Sequence, residues 1–226
     1  PKEGLLEWKP RAGEELLRME DLETLLEEEG DEIALMMIGG VNYYTGQYLD
    51  IKKIGALGHA KGAMVGIDLA HGAGNIQPNL HDSGVDFAAW CTYKYLNSGP
   101  GSLAGLFVHE RHANNKELNR FSGWWGHDKD TRFNMRHDFN PIPGAESWQL
   151  SNPPILSMAA IKASLDMFNE VGMDALREKS EILTAYFEYL IKQIDTDRIK
   201  IITPSDPTER GCQLSIQVKN ADKSLH

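Results

Sequence analysis

The sequence predicts an α/β fold with a parallel sheet in its larger part, and two observations carry this prediction. Short apolar runs with the length of buried strands occur at residues 33–38, 64–68, 87–90 and 103–108. A segment with helical spacing of apolar residues separates the first run from the second. This order of strand, helix and strand favours parallel pairing with right-handed crossovers. In such sheets ligands bind at the carboxyl ends of the strands, so residues that follow a strand are the first candidates for a site.

Two helices are predicted around the first strand. Leucines at helical spacing lead to Gly30, a residue that suits a helix end. The glycines Gly39 and Gly40 end the first strand, and Asp50 can cap the next helix, which ends at Gly62. The chain is therefore expected to begin with helix, strand, helix and strand.

The chain changes character after the fourth strand. Residues 110–150 are irregular, and a loop this long in a compact domain is usually functional or disordered; its aromatic residues argue against disorder. Asn152 and Pro153 predict a helix start with Asn152 as the cap, and Gly172 predicts the end of that helix. A helix over 173–194 and strands over 200–202 and 212–218 follow. We therefore predict a large α/β domain at 1–172 and the start of a small α+β domain at 173–226.

Composition excludes several classes of function. The formal net charge is −10, from 23 basic and 33 acidic residues, and no basic stripe of the kind that binds nucleic acid is present. No apolar stretch approaches the ~20 residues of a membrane span. Two cysteines do not form a disulfide framework, which favours the cytoplasm. His81, Asp82 and Asp86 fit no strong zinc pattern, so no metal is predicted.

Lys94 and Asp68 are the residues that point to a chemistry. Lys94 follows the third strand, and Asp68 closes the second. An amine at one strand end can form a Schiff base with an aldehyde, and a carboxylate at a neighbouring strand end can hold a pyridine nitrogen protonated; pyridoxal phosphate needs both. The alternative is a solvated surface lysine and an aspartate that caps the next turn. The flanking Tyr93 and the turn after Asp68 favour the cofactor.

Five motifs, spread in order over nearly the whole chain, closely resemble kynureninase, a pyridoxal-phosphate-dependent hydrolase of the aminotransferase-like fold (fold type I). They are Val-Asn-Tyr-Tyr-Thr-Gly-Gln at 41–47, Asp-Leu-Ala-His at 68–71, Trp-Cys-Thr-Tyr-Lys-Tyr-Leu-Asn at 90–97, Gly-Trp-Trp-Gly-His at 123–127 and Ser-Asn-Pro-Pro-Ile at 151–155. The resemblance implies hydrolysis of L-kynurenine, or its 3-hydroxy form, to anthranilate, or 3-hydroxyanthranilate, and L-alanine. It places the protein in tryptophan degradation and NAD biosynthesis.

The resemblance also implies roles for particular residues. Lys94 carries the cofactor and moves protons, and Tyr44 matches the tyrosine proposed as proton donor to the departing β-carbon. Gly39 stands where some relatives have a serine that touches the phosphate. The residues implied to bind the cofactor, or to complete its phosphate and substrate pocket, are Asp68, His71, Tyr93, Lys94, Trp124 and Asn152. Trp124 and Asn152 are expected to reach across the interface of a homodimer.

The phosphate loop of the family, its ring-stacking aromatic residue and its substrate-carboxylate arginine find no counterpart in this sequence. The two predicted strands at the end of the chain would also leave a sheet edge open. The sequence is therefore interpreted as an internal portion of a longer chain. Two other functions stay open: another enzyme of the same fold type, such as a cysteine desulfurase or a class V aminotransferase, and a non-catalytic homologue. Absorbance of the bound cofactor distinguishes a non-catalytic homologue from the enzymes.

Overall fold

The computed structural model describes residues 4–194 and 196–221. Helices and strands alternate along the first part, and two long helices lead to a second, smaller sheet. In chain order the elements are α1 (Met19–Glu29), β1 (Leu35–Gly39), α2 (Ile51–Ala60), β2 (Met64–Asp68), α3 (Leu80–Ser83), β3 (Phe87–Cys91), β4 (Ala104–Val108), α4 (Ile155–Val171), α5 (Met173–Lys192), β5 (Ile199–Ile201) and β6 (Ile216–Val218). Within the described ranges no helix has the length and apolar character needed to cross a membrane.

The larger sheet has the strand order β1-β2-β3-β4, and its first three strands are parallel. The strand β4 pairs antiparallel with β3, so the sheet is mixed rather than wholly parallel. The reason lies in the connection. Residues 92–103 contain no helix that could carry the chain back across the sheet, and a short turn can join only antiparallel neighbours. This turn is the segment that carries Lys94.

One face of the sheet is covered by α1 and α2, and the main core lies there. Ile54, Val65, Ile67 and Ala88 are completely buried in it. The predicted capping of α2 is confirmed, since the Asp50 side chain accepts a hydrogen bond from the Lys53 backbone N–H at 2.9 Å. The core thus fixes β1, β2 and β3 in register, and their carboxyl ends meet at one edge.

The opposite face of the sheet is apolar as well, but the described residues leave it largely uncovered. Leu35 and Met37 of β1 and Leu106 of β4 are 53%, 51% and 44% exposed. Parallel sheets are normally covered on both faces. The helices α4 and α5 also carry exposed apolar side chains, among them Leu156, which is 91% exposed.

The start of α4 differs from the prediction. The helix begins at Ile155, its N-cap is Pro154, and no side chain caps it, so Asn152 lies outside the helix. Two successive prolines explain the shift, because each disfavours the helical conformation of the residue before it. The predicted end of α4 is confirmed: Gly172 has φ +79°, which favours glycine.

The second sheet is shorter than predicted. The strands β5 and β6 pair antiparallel over three residues each, and residues 212–215 are not part of a strand. The backbone N–H groups of Cys212 and Ser215 donate to the side chains of Asn75 and Thr203 instead of to a neighbouring strand. Residues 110–150 have no long element, as predicted, and contain three short 3₁₀ helices.

Candidate active site

Three of the predicted site residues lie around one cavity at the carboxyl ends of β1, β2 and β3. Asp68, His71 and Lys94 line this cavity, which has a volume of about 430 Å³. Leu17 and Tyr43 also form part of its wall. The cavity therefore brings a carboxylate, an imidazole and an amine together from two strand ends.

Lys94 reaches the cavity from a tight turn after β3. The Ser98 backbone N–H donates to the Thr92 carbonyl at 3.1 Å, and the Thr92 hydroxyl donates to the Leu103 carbonyl, which together close the turn. The turn also lies against the loop after β2. A Cβ at Gly74 would come within 3.0 Å of the Tyr95 carbonyl group, and φ at Gly74 is +79°, so only glycine allows this approach.

Asp68 is the last residue of β2, and its carboxylate is oriented by its own turn. The Oδ1 atom accepts a hydrogen bond from the Ala70 backbone N–H at 2.7 Å. The Asp68 carbonyl accepts from the Gly40 backbone N–H at 2.8 Å, which ties the ends of β1 and β2 together. The carboxylate thus caps a turn and also faces the cavity that Lys94 lines.

His71 stands between Lys94 and two tyrosine rings. Burial and the nearby charge of Lys94 lower the pKa of His71, against an opposing effect of Asp68. Its ring centroid lies 6.3 Å from that of Tyr43 and 5.8 Å from that of Tyr95. The buried Nδ1 atom has no hydrogen-bond partner within the part of the chain that the structure describes. A buried polar atom of this kind is usually satisfied, so it is suited to a polar group of a ligand.

The two tyrosines after β1 point in different directions. Tyr43 lines the cavity, whereas Tyr44 does not. The Tyr44 hydroxyl accepts a hydrogen bond from Gln217 Nε2 at 3.2 Å, and Tyr44 is 48% exposed. The structure therefore does not bring the predicted proton donor to the cavity, and it places its neighbour there.

Tyr93 lies next to the lysine but outside the cavity wall. The Lys94 Nζ atom is 5.9 Å from the centroid of the Tyr93 ring, and the ring is 51% exposed. The neighbouring Cys91 thiol raises the pKa of Tyr93. The phenol lies beside the strand end and is open to solvent in a single chain.

Trp124 and Asn152 lie away from the cavity in one copy of the chain. Trp124 is 46% exposed and packs edge-on against Phe133, with 5.4 Å between ring centroids. Asn152 is exposed in the segment before α4. The single chain thus presents both residues at its surface, and their predicted contact with a second copy stays a prediction.

Gln47 is a residue of the site that the sequence did not single out. Its Oε1 atom accepts from the Leu17 backbone N–H at 2.9 Å, and its Nε2 atom donates to the Leu17 carbonyl at 2.8 Å. This pair of bonds holds the segment before α1 against the cavity, where Leu17 forms an apolar wall. The sequence signal for Gln47 is its place as the last residue of the motif at 41–47.

The donor set fits the predicted cofactor. A primary amine, a carboxylate and an imidazole ring line one cavity, which matches an aldehyde, a pyridine nitrogen and a polar ring substituent. Among residues 4–194 and 196–221, no three His, Cys, Asp or Glu side chains are grouped as ligands for a metal. The residues that could hold pyridoxal phosphate here are Lys94, Asp68 and His71.

Comparison with known proteins shows a family and several relatives. A family model described as aminotransferase class-V matches residues 5–225. A kynureninase from Myxococcus xanthus is 56% identical over 224 residues, which is 99% of this chain and 53% of that protein. A kynureninase from Nematostella vectensis is 50% identical over 228 residues, 96% of this chain and 49% of that protein. The chain spans about half the length of the curated relatives it matches.

Solved structures with a similar fold are more distant in sequence. A cysteine desulfurase from Escherichia coli superposes with a TM-score of 0.68 at 18% identity, over 89% of this chain and 48% of that chain. An alanine–glyoxylate aminotransferase from a Nostoc species superposes with a TM-score of 0.64 at 17% identity, over 93% of this chain and 53% of that chain. Identities this low show the fold alone. The α/β fold type predicted from the sequence is confirmed.

Proposed function

This chain belongs to the aminotransferase class-V family, and on that premise we propose that the whole protein is a pyridoxal-phosphate-dependent hydrolase that cleaves L-kynurenine or 3-hydroxykynurenine. The products are anthranilate or 3-hydroxyanthranilate and L-alanine. Two lines of support meet here. Curated kynureninases match the chain at 50–56% identity along nearly its full length. The observation that carries the proposal is the single cavity lined by Lys94, Asp68 and His71.

The three residues divide the chemical work. Pyridoxal phosphate, when bound, supplies an aldehyde that takes up an amino acid and a ring that accepts electrons from the bond that breaks. Lys94 supplies the amine that holds the cofactor and, once released, moves a proton at the α-carbon of the substrate. Asp68 keeps the ring nitrogen protonated, because a buried cation needs a counter-charge. His71, with its lowered pKa, contributes a neutral hydrogen-bonding ring.

The remaining residues belong to the proposal as well. Tyr44 is the proposed proton donor to the departing carbon, and Tyr93 the proposed phosphate ligand. Trp124 and Asn152 are proposed to complete the cavity of a second copy in a homodimer. Their exposure in the single chain supports this arrangement, since residues that serve a partner's site must lie at the surface. The proposed location is the cytoplasm, and the proposed division into domains lies near residue 172.

Product analysis of the whole protein tests the function. With L-kynurenine we expect anthranilate, detected by its fluorescence, and an equal amount of alanine. Lys94→Ala removes the amine that holds the cofactor, so we expect no turnover and no link to the cofactor that borohydride can reduce. Lys52, which is exposed on α2, provides the matched control. Lys52→Ala should keep both properties.

Two results would contradict the proposal. Formation of alanine from cysteine, with sulfide released when a dithiol reductant is added, and without anthranilate from kynurenine, would assign a cysteine desulfurase instead. Turnover that persists in Lys94→Ala would remove Lys94 from the chemistry. Because both enzyme types release alanine, the fluorescence of anthranilate is the decisive signal.

A further inference from the structure

Residues 211–215, which overlap the first part of the predicted strand 212–218, contact all three loops that follow the parallel strands. We call this segment the bridging segment. The loop after β1 carries Tyr43, the loop after β2 carries His71, and the turn after β3 carries Lys94. These loops lie far from the bridging segment in sequence, yet each is joined to it by a side-chain hydrogen bond. The segment therefore touches every loop that brings a polar side chain to the cavity.

Gln213 bonds to two of these loops at once. Its Nε2 atom donates to the Tyr43 carbonyl at 3.0 Å, and its Oε1 atom accepts from the Tyr95 hydroxyl at 3.3 Å. Tyr95 directly follows Lys94, so one amide spans the distance between the turn with Tyr43 and the turn with Lys94. The orientation of the amide is determined, because a carbonyl oxygen can only accept and must face the NH₂ group.

Two hydroxyl side chains reinforce the contact with the loop after β1. Gln213 Nε2 also donates to Ser215 Oγ at 2.7 Å, and Ser215 Oγ donates to the Tyr44 carbonyl at 2.5 Å. Thr203 Oγ1 donates to the Thr45 carbonyl at 2.6 Å and accepts from the Ser215 backbone N–H at 2.7 Å. The backbone carbonyls of Tyr43, Tyr44 and Thr45 thus each accept a hydrogen bond from a side chain that follows α5.

Asn75 makes the equivalent connection to the loop after β2. It is 4% exposed, its Nδ2 atom donates to the His71 carbonyl at 2.9 Å, and its Oδ1 atom accepts from the Cys212 backbone N–H at 2.8 Å. A side chain at Gly211 would overlap the amide of Asn75, so the close approach requires glycine there. The bridging segment is therefore fixed to His71 on one side and to Tyr43 and Tyr95 on the other.

We propose that Gln213 is a positioning residue, which sets the placement of Tyr43 relative to Lys94 across the cavity. It does not line that cavity, and it acts through the two loops that it joins. Reacting groups must be held within a few tenths of an ångström of their productive arrangement, and a displacement of 1 Å can cost about 10²-fold in rate. The loop after β1 and the turn after β3 follow different strands, and Gln213 restrains their relative positions by bonding to both. The kinetic consequence rests on the proposed function, in which the loop that carries Tyr43 and Tyr44 supplies the proton donor. The structural consequence does not depend on that function.

Three variants of the whole protein separate the two bonds. Gln213→Met has a similar shape and removes both. Gln213→Glu keeps an oxygen for the Tyr95 hydroxyl but places a second oxygen against the Tyr43 carbonyl, so it removes only the bond to the first loop. Tyr95→Phe removes only the bond to the turn with Lys94. Gln77→Met is the matched control. The Gln77 side-chain amide also donates a hydrogen bond to a residue far away in sequence, Asp174, but it does not bond to the carbonyls of Tyr43, Tyr44 or His71.

Hydrogen exchange followed by mass spectrometry, on the protein without cofactor, is the first measurement. We expect faster exchange in peptides that cover 41–47 and 92–98 for Gln213→Met, only in 41–47 for Gln213→Glu, and only in 92–98 for Tyr95→Phe. Peptides from β1, β2 and β3 should exchange as in the unchanged protein. Exchange that is unaltered in both loops, or that rises evenly through the sheet, overturns the proposal.

Kinetics with kynurenine is the second measurement. Gln213→Met should still form the borohydride-reducible link at Lys94, with kcat reduced about 10- to 100-fold and KM changed much less. An unchanged kcat in Gln213→Met, despite altered exchange, overturns the positioning role. Gln77→Met should match the unchanged protein in both measurements. If the unchanged protein cleaves no kynurenine, the proposed function fails, while the exchange pattern still decides whether Gln213 restrains both loops.

Discussion

Asp68 and Lys94 reach the same cavity from adjacent strands, and the carboxylate is held in place by its bond to the Ala70 backbone N–H. An amide at position 68 can accept the same bond but carries no charge. The negative charge of Asp68 can therefore be removed while its turn is retained. This separation makes Asp68 a suitable residue for a test of electrostatic stabilisation.

We expect Asp68→Asn to load the cofactor and to lose about 10²-fold or more in kcat, because the charge that stabilises the protonated ring is gone. Absorbance measures cofactor loading, and anthranilate release measures turnover. Asp82, which is 85% exposed in its side chain, offers the control Asp82→Asn, which should be silent. Full activity in Asp68→Asn would exclude the electron-sink role of this carboxylate.

Tyr44 and its neighbour Tyr43 test the assignment of the proton donor. The sequence favours Tyr44, while the structure places Tyr43 at the cavity and Tyr44 against Gln217. With Tyr44 as donor, Tyr44→Phe should lower the rate of cleavage by about 10²–10⁴-fold and leave the link at Lys94 intact. Single-turnover measurement of anthranilate release decides this. If Tyr43→Phe shows the loss and Tyr44→Phe does not, the donor is Tyr43.

At the scale of elements, Asp86 joins four segments at the end of the sheet opposite to the cavity. It directly precedes β3 and is 3% exposed. Its carboxylate accepts from the Val65 backbone N–H at 2.7 Å and from Arg111 at 2.7 Å, and it lies 2.9 Å from His59 and 2.7 Å from His112. These partners outweigh burial and hold the pKa of Asp86 well below its usual value. His59 and Arg111 are both exposed residues, and their side chains reach the buried carboxylate from the surface.

The lowered pKa predicts how stability depends on pH. Because the folded form binds the proton of Asp86 more weakly than the unfolded form, whose pKa is about 3.9, this contribution is complete above that value and is lost as the pH falls below it. Asp86→Ala leaves Arg111 and the Val65 N–H without their partner, so we expect a loss of about 3–5 kcal/mol at pH 7.

Urea unfolding of both proteins at pH 7 and at low pH measures this loss. The difference between Asp86→Ala and the unchanged protein should shrink toward low pH. A constant difference would show that the charge of Asp86 is not what stabilises β3.

At the scale of the whole molecule, the proposed homodimer can be tested through the two site residues that lie outside the cavity of their own chain. Trp124 and Asn152 are exposed and lie away from the cavity that Lys94 lines in the same chain. Under the proposal they serve the partner's cavity. Each site then takes Lys94 from one subunit and Asn152 from the other. A variant without Lys94 and a variant without Asn152 therefore lose activity through residues of different subunits.

Mixing the inactive variants Lys94→Ala and Asn152→Ala should restore activity. Random exchange of subunits gives about half hybrid dimers, each with one intact site, so roughly a quarter of normal activity is expected. Anthranilate release before and after a cycle of dissociation and reassociation measures the recovery. No recovery, with hybrids present by mass spectrometry, would place Asn152 in the site of its own chain.

The sequence by itself determined the order of the elements and the edge at which the site lies. Apolar runs ended by glycine, aspartate or a Gly/Pro turn located β1, β2 and β3, and parallel pairing then placed Asp68 and Lys94 at the same end. The strand ends are marked by neighbouring residues, and parallel pairing follows from the right-handed crossover rule. Both can therefore be predicted from the sequence.

Only the tertiary structure decided the direction of β4, the start of α4 and which tyrosine faces the cavity. It also decided the course of 212–215, where alternating residues suggested a strand. The bonds of Gln213 join residues 118 and 170 positions apart, and such pairs leave no periodicity in one sequence. The Asn75 and Thr203 side chains, which accept from the backbone N–H groups of Cys212 and Ser215, compete with a strand ladder for those groups, and the packed molecule alone determines which bonds form.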